Sequence, residues 1–258
     1  MPQEDYSALD RPEIVQFIFF PRRDFTKAPP NASDYFIPVD RAITVSCRFY
    51  VHGQSSPSII FFHGNGEVVS DYDYVAPMYN QLGINLFVAD YRGYGASQGR
   101  PTFSNMISDA PILFKAFTDI LQQNHYVQNV FVMGRSLGSV SAIEIARHYQ
   151  EQMKGLIIES GLASVIKLLS RLGFPGEFLG LGDADSPNLT SIRTVTLPTL
   201  IIHGEYDSLI PRSQGEALFQ NVAAKNKRLV IIPGAEHNDI MWVGMELYLE
   251  AMREFVFA

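Results

Sequence analysis

From Ser58 onward the chain alternates between two kinds of segment, and this alternation restricts its fold more than any other feature. Short apolar runs rich in β-branched and aromatic residues read as strands: Ser58 to Phe62, Asn85 to Ala89, Asn129 to Met133, Gly155 to Ile158, Thr199 to Ile202 and Arg228 to Ile232. Between them lie amphipathic stretches that read as helices: Asp71 to Leu82, Asn105 to Asn124, Ser136 to Gln150, Pro211 to Val222 and Asn238 to Phe257. Strand, helix and strand in succession imply βαβ crossovers and a mostly parallel sheet. Two earlier runs, Ile14 to Phe20 and Ile43 to Val51, read as N-terminal strands that pair antiparallel through the loop around Asn31, which brings the strands to eight. Neither a repeat nor a long linker interrupts the pattern, so residues 1–258 read as one α/β domain.

In such sheets function collects at the carboxyl ends of the strands, and reactive residue types stand there. The run ending at Met133 feeds Gly134-Arg135-Ser136-Leu137-Gly138 and then a helical stretch. A serine at a strand-to-helix turn takes φ > 0, and its neighbours two places away must be small, which is the role of Gly134 and Gly138. A serine hydroxyl is a weak nucleophile near neutral pH; it needs a base to take its proton and a third group to orient that base. Asp207 follows the seventh run and His237 the eighth, giving the chain order Ser, Asp, His. Glu159, after the sixth run, is an alternative acid, read as structural or pocket-lining. His52, His125 and His148 read as hydrogen-bonded structural residues. An acyl-transfer site also needs backbone donors for its oxyanion. These are assigned to Leu137 and to Asn65 in the run His63-Gly64-Asn65-Gly66, with Gly64 as second choice. Glu67, Asp71 and Arg135 read as solvated or loop-fixing charges.

At these residues the chain resembles the α/β-hydrolase superfamily. Five signatures follow in the superfamily's order and span 58–239: His63-Gly64-Asn65-Gly66, Asp90-Tyr91-Arg92-Gly93-Tyr94-Gly95, Gly134-Arg135-Ser136-Leu137-Gly138, His203-Gly204-Glu205-Tyr206-Asp207 with Pro211, and Gly234-Ala235-Glu236-His237-Asn238. Within the superfamily the pattern is similar to the small, short-lidded serine hydrolases that include membrane-associated depalmitoylases and are filed with the serine aminopeptidases. The resemblance implies an α/β-hydrolase fold: an eight-stranded, mostly parallel sheet flanked by helices, with a short lid after strand six at about residues 163–192. The stretch from Leu168 to Gly182 is apolar yet rich in Gly, which suits a flap; a packed helix covering the sheet edge is the competing reading. As a lid it would line an acyl pocket with Leu168, Leu172, Phe174, Phe178 and Leu181. The cysteine cluster at the depalmitoylases' N-terminus has no counterpart here, and the iminopeptidases' larger cap exceeds what this chain can hold.

The expected activity is hydrolysis of a carboxylic ester or thioester with an apolar acyl group, through an acyl-enzyme on Ser136. Two other functions stay in play. An aminopeptidase would need Glu159, Glu177 or Asp183 to receive a substrate ammonium, and a non-catalytic binding protein would be marked by a broken triad. Ser136 in place of an aspartate argues against dehalogenase and epoxide-hydrolase chemistry.

Acidic residues number 27 against 20 basic, a net charge of −7, which argues against nucleic-acid binding. No apolar run approaches the ~18 residues that span a bilayer, and no basic segment leads into an apolar one at the N-terminus. The lone Cys47 is compatible with a reducing compartment. A cytoplasmic location is expected, with contact to a membrane surface left open. Gly93 to Gly99 lacks dinucleotide-binding spacing, no G-K-[ST] triplet occurs, and the six histidines show no ligand spacing, so neither cofactor nor metal is expected.

Overall fold

The computed structural model describes residues 7–174 and 187–258. Eight strands, β1 (Ala32–Asp40), β2 (Ile43–Tyr50), β3 (Ser58–Phe62), β4 (Asn85–Ala89), β5 (Val130–Arg135), β6 (Gly155–Glu159), β7 (Thr199–Gly204) and β8 (Lys227–Ile232), form one sheet in the order β1-β2-β4-β3-β5-β6-β7-β8. The β1/β2 and β2/β4 pairs are antiparallel and every other pair is parallel. The central strands are buried on both faces, as covered parallel strands must be, and successive side chains feed opposite cores. Ile60 and Phe62 of β3, Phe87 of β4 and Val132 of β5 enter one core; Ile59, Phe61, Leu86 and Met133 enter the other.

The first core is closed by α1 (Pro12–Ile18), α3 (Phe103–Gln123), α4 (Ser139–His148), α5 (Val165–Arg171), α6 (Pro187–Ile192) and α7 (Arg212–Asn221). The second is closed by α2 (Ala76–Gln81) and α9 (Met245–Val256), with the single turn α8 (Ile240–Val243) leading in. Parallel strands so covered end at one edge of the sheet, so the loops after β3, β5, β6, β7 and β8 meet there. No helix among the described residues is long and apolar enough to cross a membrane.

Three expectations are corrected. Ile14 to Phe20 is not a strand: Pro12 at the first helical position and Glu13 in the first turn start α1, which buries Ile14 and Ile18. The first strand is instead β1, whose Pro38 is tolerated because β1 is an edge strand and needs donors on one side only. The C-terminal helix is two helices parted at Gly244, where a Cβ would collide with the side chain of Ile232.

Candidate active site

Ser136 ends the β5 crossover at φ 53°, in the left-handed region where side chains other than glycine are strained. Packing holds it there. A Cβ on Gly138 would run into the carbonyl oxygen of Phe62, and one on Gly134 into the carbonyl oxygen of Gly138, so both positions require glycine. The turn thus lies directly against the end of β3 and lifts the Ser136 side chain above the sheet edge.

The loops after β7 and β8 bring Asp207 and His237 to this serine. His237 Nδ1 lies 2.7 Å from Asp207 Oδ2 and His237 Nε2 lies 3.0 Å from Ser136 Oγ. All three residues are buried. An ionised carboxylate only accepts, so the imidazole proton sits on Nδ1, and Nε2 turns its lone pair toward the hydroxyl. The other carboxylate oxygen, Asp207 Oδ1, accepts the backbone N–H groups of Leu209 (3.1 Å) and Ile210 (2.7 Å). His203 adds a further partner. Its Nε2 donates to the Ile210 carbonyl at 2.8 Å and passes 3.3 Å from Asp207 Oδ2. Burial alone would raise the Asp207 pKa, but the bonds from His203, His237 and the Ile210 N–H outweigh it and hold the carboxyl well below its usual range. The sequence reading placed Asp207 and His237 and missed His203, although the His-Gly dipeptide at the end of β7 was the available signal.

The two expected backbone donors come from different loops, Leu137 after β5 and Asn65 after β3. Leu137 opens a helical turn, where an N–H has no intrahelical acceptor. The Asn65 side chain is occupied: Oδ1 accepts from the Phe20 N–H at 3.0 Å and the Tyr94 hydroxyl at 2.6 Å, while Nδ2 donates to the Ile18 carbonyl. That leaves its backbone N–H, which donates to no other group among the described residues. Gly64, the second choice, is ruled out as a donor because its N–H is bonded to Glu67 Oε2 at 2.9 Å. The Gly64 carbonyl in turn accepts from His63 Nδ1 at 2.8 Å. Across a trans peptide the Asn65 N–H points opposite that carbonyl, so the His63 bond fixes the direction of the donor. His63 also faces Asp90 Oδ1 at 3.1 Å. Burial would lower the His63 pKa, but Asp90 raises it further and favours the doubly donating imidazolium.

Above Ser136 opens a cleft of about 240 Å³. Leu168 and Leu172 line it as expected, joined by Ile18, Phe20 and Leu209, which the sequence reading did not assign. Phe174 is not part of it. Gly173, at φ 91°, turns the chain back after α5 and the Phe174 N–H bonds the Leu169 carbonyl, which packs the ring against Phe17 at 5.7 Å between centroids. Phe178, Leu181, Glu177 and Asp183 lie outside the described residues. Val165, Ile166 and Leu169 on the other side of α5 are buried in the core, so this helix is both packed element and cleft wall. Among the described residues no group of three or more His, Cys, Asp or Glu side chains could hold a metal ion.

Of the two roles read for Arg135 and Glu67, solvated or loop-fixing, the structure shows the loop-fixing one, and Glu159 is structural. The Arg135 and Glu159 side chains are 11% and 5% exposed. Arg135 Nε donates to Glu159 Oε1 at 3.0 Å and its Nη1 pairs with Glu67; Glu159 Oε2 accepts from the Tyr248 hydroxyl at 2.6 Å. Burial would lower the Arg135 pKa, but the two carboxylates raise it further. Glu159 therefore does not reach His237 as an alternative acid.

The model of the serine aminopeptidase (S33) family matches residues 53–173 and 171–241, most of the chain and all of these loops. The chain belongs to this family. It is thus a hydrolase of the α/β-hydrolase superfamily, and the placement in the serine aminopeptidase-like branch made from the sequence holds. Among its relatives, alpha/beta hydrolase domain-containing protein 17B of Homo sapiens is 33% identical over 222 residues, which are 82% of this chain and 70% of the human protein. The 17C protein of Mus musculus is 29% identical over 229 residues, covering 86% and 67% of the two chains. Solved structures of low sequence identity share the fold. The esterase Pf2001 of Pyrococcus furiosus superposes with a TM-score of 0.75 at 19% identity, over 92% of this chain and 98% of the esterase. Est1E of Butyrivibrio proteoclasticus with bound ferulic acid gives 0.69 at 21%, over 87% and 100%.

Proposed function

We propose that this S33-family protein hydrolyses carboxylic esters or thioesters with an apolar acyl group through an acyl-enzyme on Ser136. The observation that carries this reading is the unbroken hydrogen-bonded chain from Asp207 through His237 to Ser136 at the floor of the leucine- and phenylalanine-walled cleft. In the first half-reaction the Ser136 hydroxyl adds to the substrate carbonyl while His237 Nε2 takes its proton, and Asp207 stabilises the imidazolium so formed. The developing oxyanion accepts from the N–H groups of Leu137 and Asn65. Collapse of this intermediate breaks the acyl bond to the leaving alcohol or thiol, which receives the proton from His237. Water then repeats the sequence on the acyl-serine, again through His237, and releases the acid.

The family's descriptive name points to peptide N-termini, but the site favours the ester reading. Removing an N-terminal residue needs a carboxylate free to receive the substrate's ammonium; of the three named for that role, Glu159 alone lies among the described residues, and both of its oxygens are already engaged by Arg135 and Tyr248. The test is fluorophosphonate labelling of the intact chain and of Ser136→Ala, followed by p-nitrophenyl esters and aminoacyl-anilides as substrates. Labelling of the wild type alone, with esters turned over and anilides poor, is expected. Labelling that survives Ser136→Ala removes the nucleophile assignment, and efficient anilide cleavage would favour the peptidase.

A further inference from the structure

The Arg135 guanidinium reaches three of the loops that make up the site. Besides Glu67 and Glu159, its Nη2 donates to the backbone carbonyl of His237 at 2.9 Å and to Asn238 Oδ1 at 3.0 Å. The four acceptors lie on three segments: Glu67 follows β3, Glu159 ends β6, and His237 and Asn238 follow β8. Arg135 itself ends β5 and is covalently joined to Ser136.

Glu67 passes this connection to the oxyanion loop. Its Oε2 accepts both the Gly64 N–H at 2.9 Å and the Tyr72 hydroxyl at 2.6 Å, while its Oε1 pairs with Arg135. Gly64 is therefore gripped at both ends of its backbone, by Glu67 at the N–H and by His63 at the carbonyl, and the peptide that presents the Asn65 N–H is set from both sides. Burial would raise the Glu67 pKa, but the Arg135 charge more than offsets it and keeps the side chain an ionised, acceptor-only group. A Cβ on Gly64 would strike the Glu67 carboxylate, so the grip is also tight in space.

We propose that Arg135 is a positioning residue: through Glu67 it sets the loop that carries the Asn65 donor, and through the His237 carbonyl it sets the loop that carries the base. The proposal rests on the acyl-enzyme reading above. Arg135 and Glu67 touch no reacting atom, so their effect falls on the transition state, where donor and base must be placed within fractions of an ångström, and little on ground-state binding. A planar guanidinium serves four acceptors in different directions, whereas an ammonium keeps the charge but not the fork.

The experiment measures kcat and KM on a p-nitrophenyl ester, together with melting temperature, for Arg135→Lys, Arg135→Gln, Glu67→Gln and the double variant of the last two. Arg135→Gln should lose about 100-fold in kcat, the scale of one oxyanion donor, with KM within about threefold of wild type. Arg135→Lys should recover to within about tenfold of wild type, and Glu67→Gln should lose about tenfold in kcat alone. Because the two side chains act as one unit, the double variant should be no more than about threefold worse than Arg135→Gln. Unchanged kcat in Arg135→Gln, losses that appear in KM, or losses that multiply in the double variant would each overturn the proposal. Should Arg135→Gln fail to fold, Glu67→Gln and Arg135→Lys carry the same decision: wild-type kcat in Glu67→Gln overturns it. Fluorophosphonate labelling separates this outcome from failure of the underlying reading. Slow but complete labelling of Arg135→Gln, absent in Ser136→Ala, keeps Ser136 as the nucleophile even where the positioning role of Arg135 fails.

Discussion

Replacing Asp207 with Asn tests the triad at the point where the structure dictates the outcome. The amide has one oxygen and one NH2, and two orientations to choose between. With its oxygen in place of Oδ1 it keeps the bonds from the Leu209 and Ile210 N–H groups at 3.1 and 2.7 Å, and its NH2 falls where Oδ2 stood. The NH2 then faces the Nε2–H of His203, 3.3 Å from that position, and can bond His237 only if Nδ1 gives up its proton. His237 is thereby driven to the tautomer whose Nε2–H points at Ser136, and the base is lost. The opposite orientation sets the NH2 against two short backbone donors and is worse. Activity should fall about 10⁴-fold in kcat, as when the same change imposes the wrong tautomer in serine proteases. One buried donor facing another should also cost about 1–3 kcal/mol of stability, or roughly 2–4 °C of melting temperature per kcal/mol for a chain of this size. The assay is kcat on a p-nitrophenyl ester alongside a thermal melt. A variant that keeps more than about 1% of wild-type kcat would refute the tautomer argument, and a Glu159→Gln that is the more damaging change with Asp207→Asn harmless would move the acid elsewhere.

Chain length is the next check on the cleft. kcat/KM for p-nitrophenyl esters should rise by up to about fourfold per added methylene from acetate to a medium-chain optimum, the equivalent of ~0.8 kcal/mol per buried CH₂, and a flat series would deny the apolar wall its role. Gly138→Ala should lose at least about 3 kcal/mol, read as a melting-point drop of about 6–12 °C with loss of turnover, since its methyl meets a backbone oxygen that cannot step aside; a fully stable variant would contradict the elbow packing. Stability should also depend on pH at both ends. Asp207 and Glu67 have folded pKa values below their unfolded ones, so what they contribute is present above about pH 4.5 and lost as pH falls through the folded values. His63 has its pKa raised, so its contribution is full below about pH 6.5 and lost as pH rises through the folded value. The urea midpoint should therefore be highest between about pH 5 and 6.5; a midpoint still climbing at pH 8 would deny His63 its stabilising charge.

The parts of this molecule legible from sequence are those in which local pattern and chemistry coincide. Covered parallel strands are short and apolar throughout, so β3 to β8 stood out, and the glycine-flanked Ser136 marked its own turn. Asp207 and His237 were legible because each follows a strand in a loop of turn residues. The failures have equally physical causes. β1 carries Asp34, Pro38 and Asp40, tolerable on an exposed edge but unlike a strand in composition, while α1 is so rich in Ile, Val and Phe that its proline start signal was outweighed. Phe174 was assigned to the cleft by its apolar character, and one positive-φ glycine reversed its direction. Arg135 and Glu67 were read only as solvated or loop-fixing charges, because a pairing between residues 68 apart in sequence leaves no local trace; the contact of His203 with Asp207 is local, and the His-Gly dipeptide was its signal.

Asn65 ties residue 65 to two backbone groups, at Ile18 and Phe20, that lie well before the first strand, and the same two residues form one wall of the cleft. The family match begins only at residue 53. A fragment trimmed to the bounds of that match would keep Ser136, Asp207 and His237, yet it would lack Ile18 and Phe20, one side of the cleft and the anchor of the Asn65 loop. A graft of this site onto another scaffold, or a chimaera with a relative, has to carry α1 across with it.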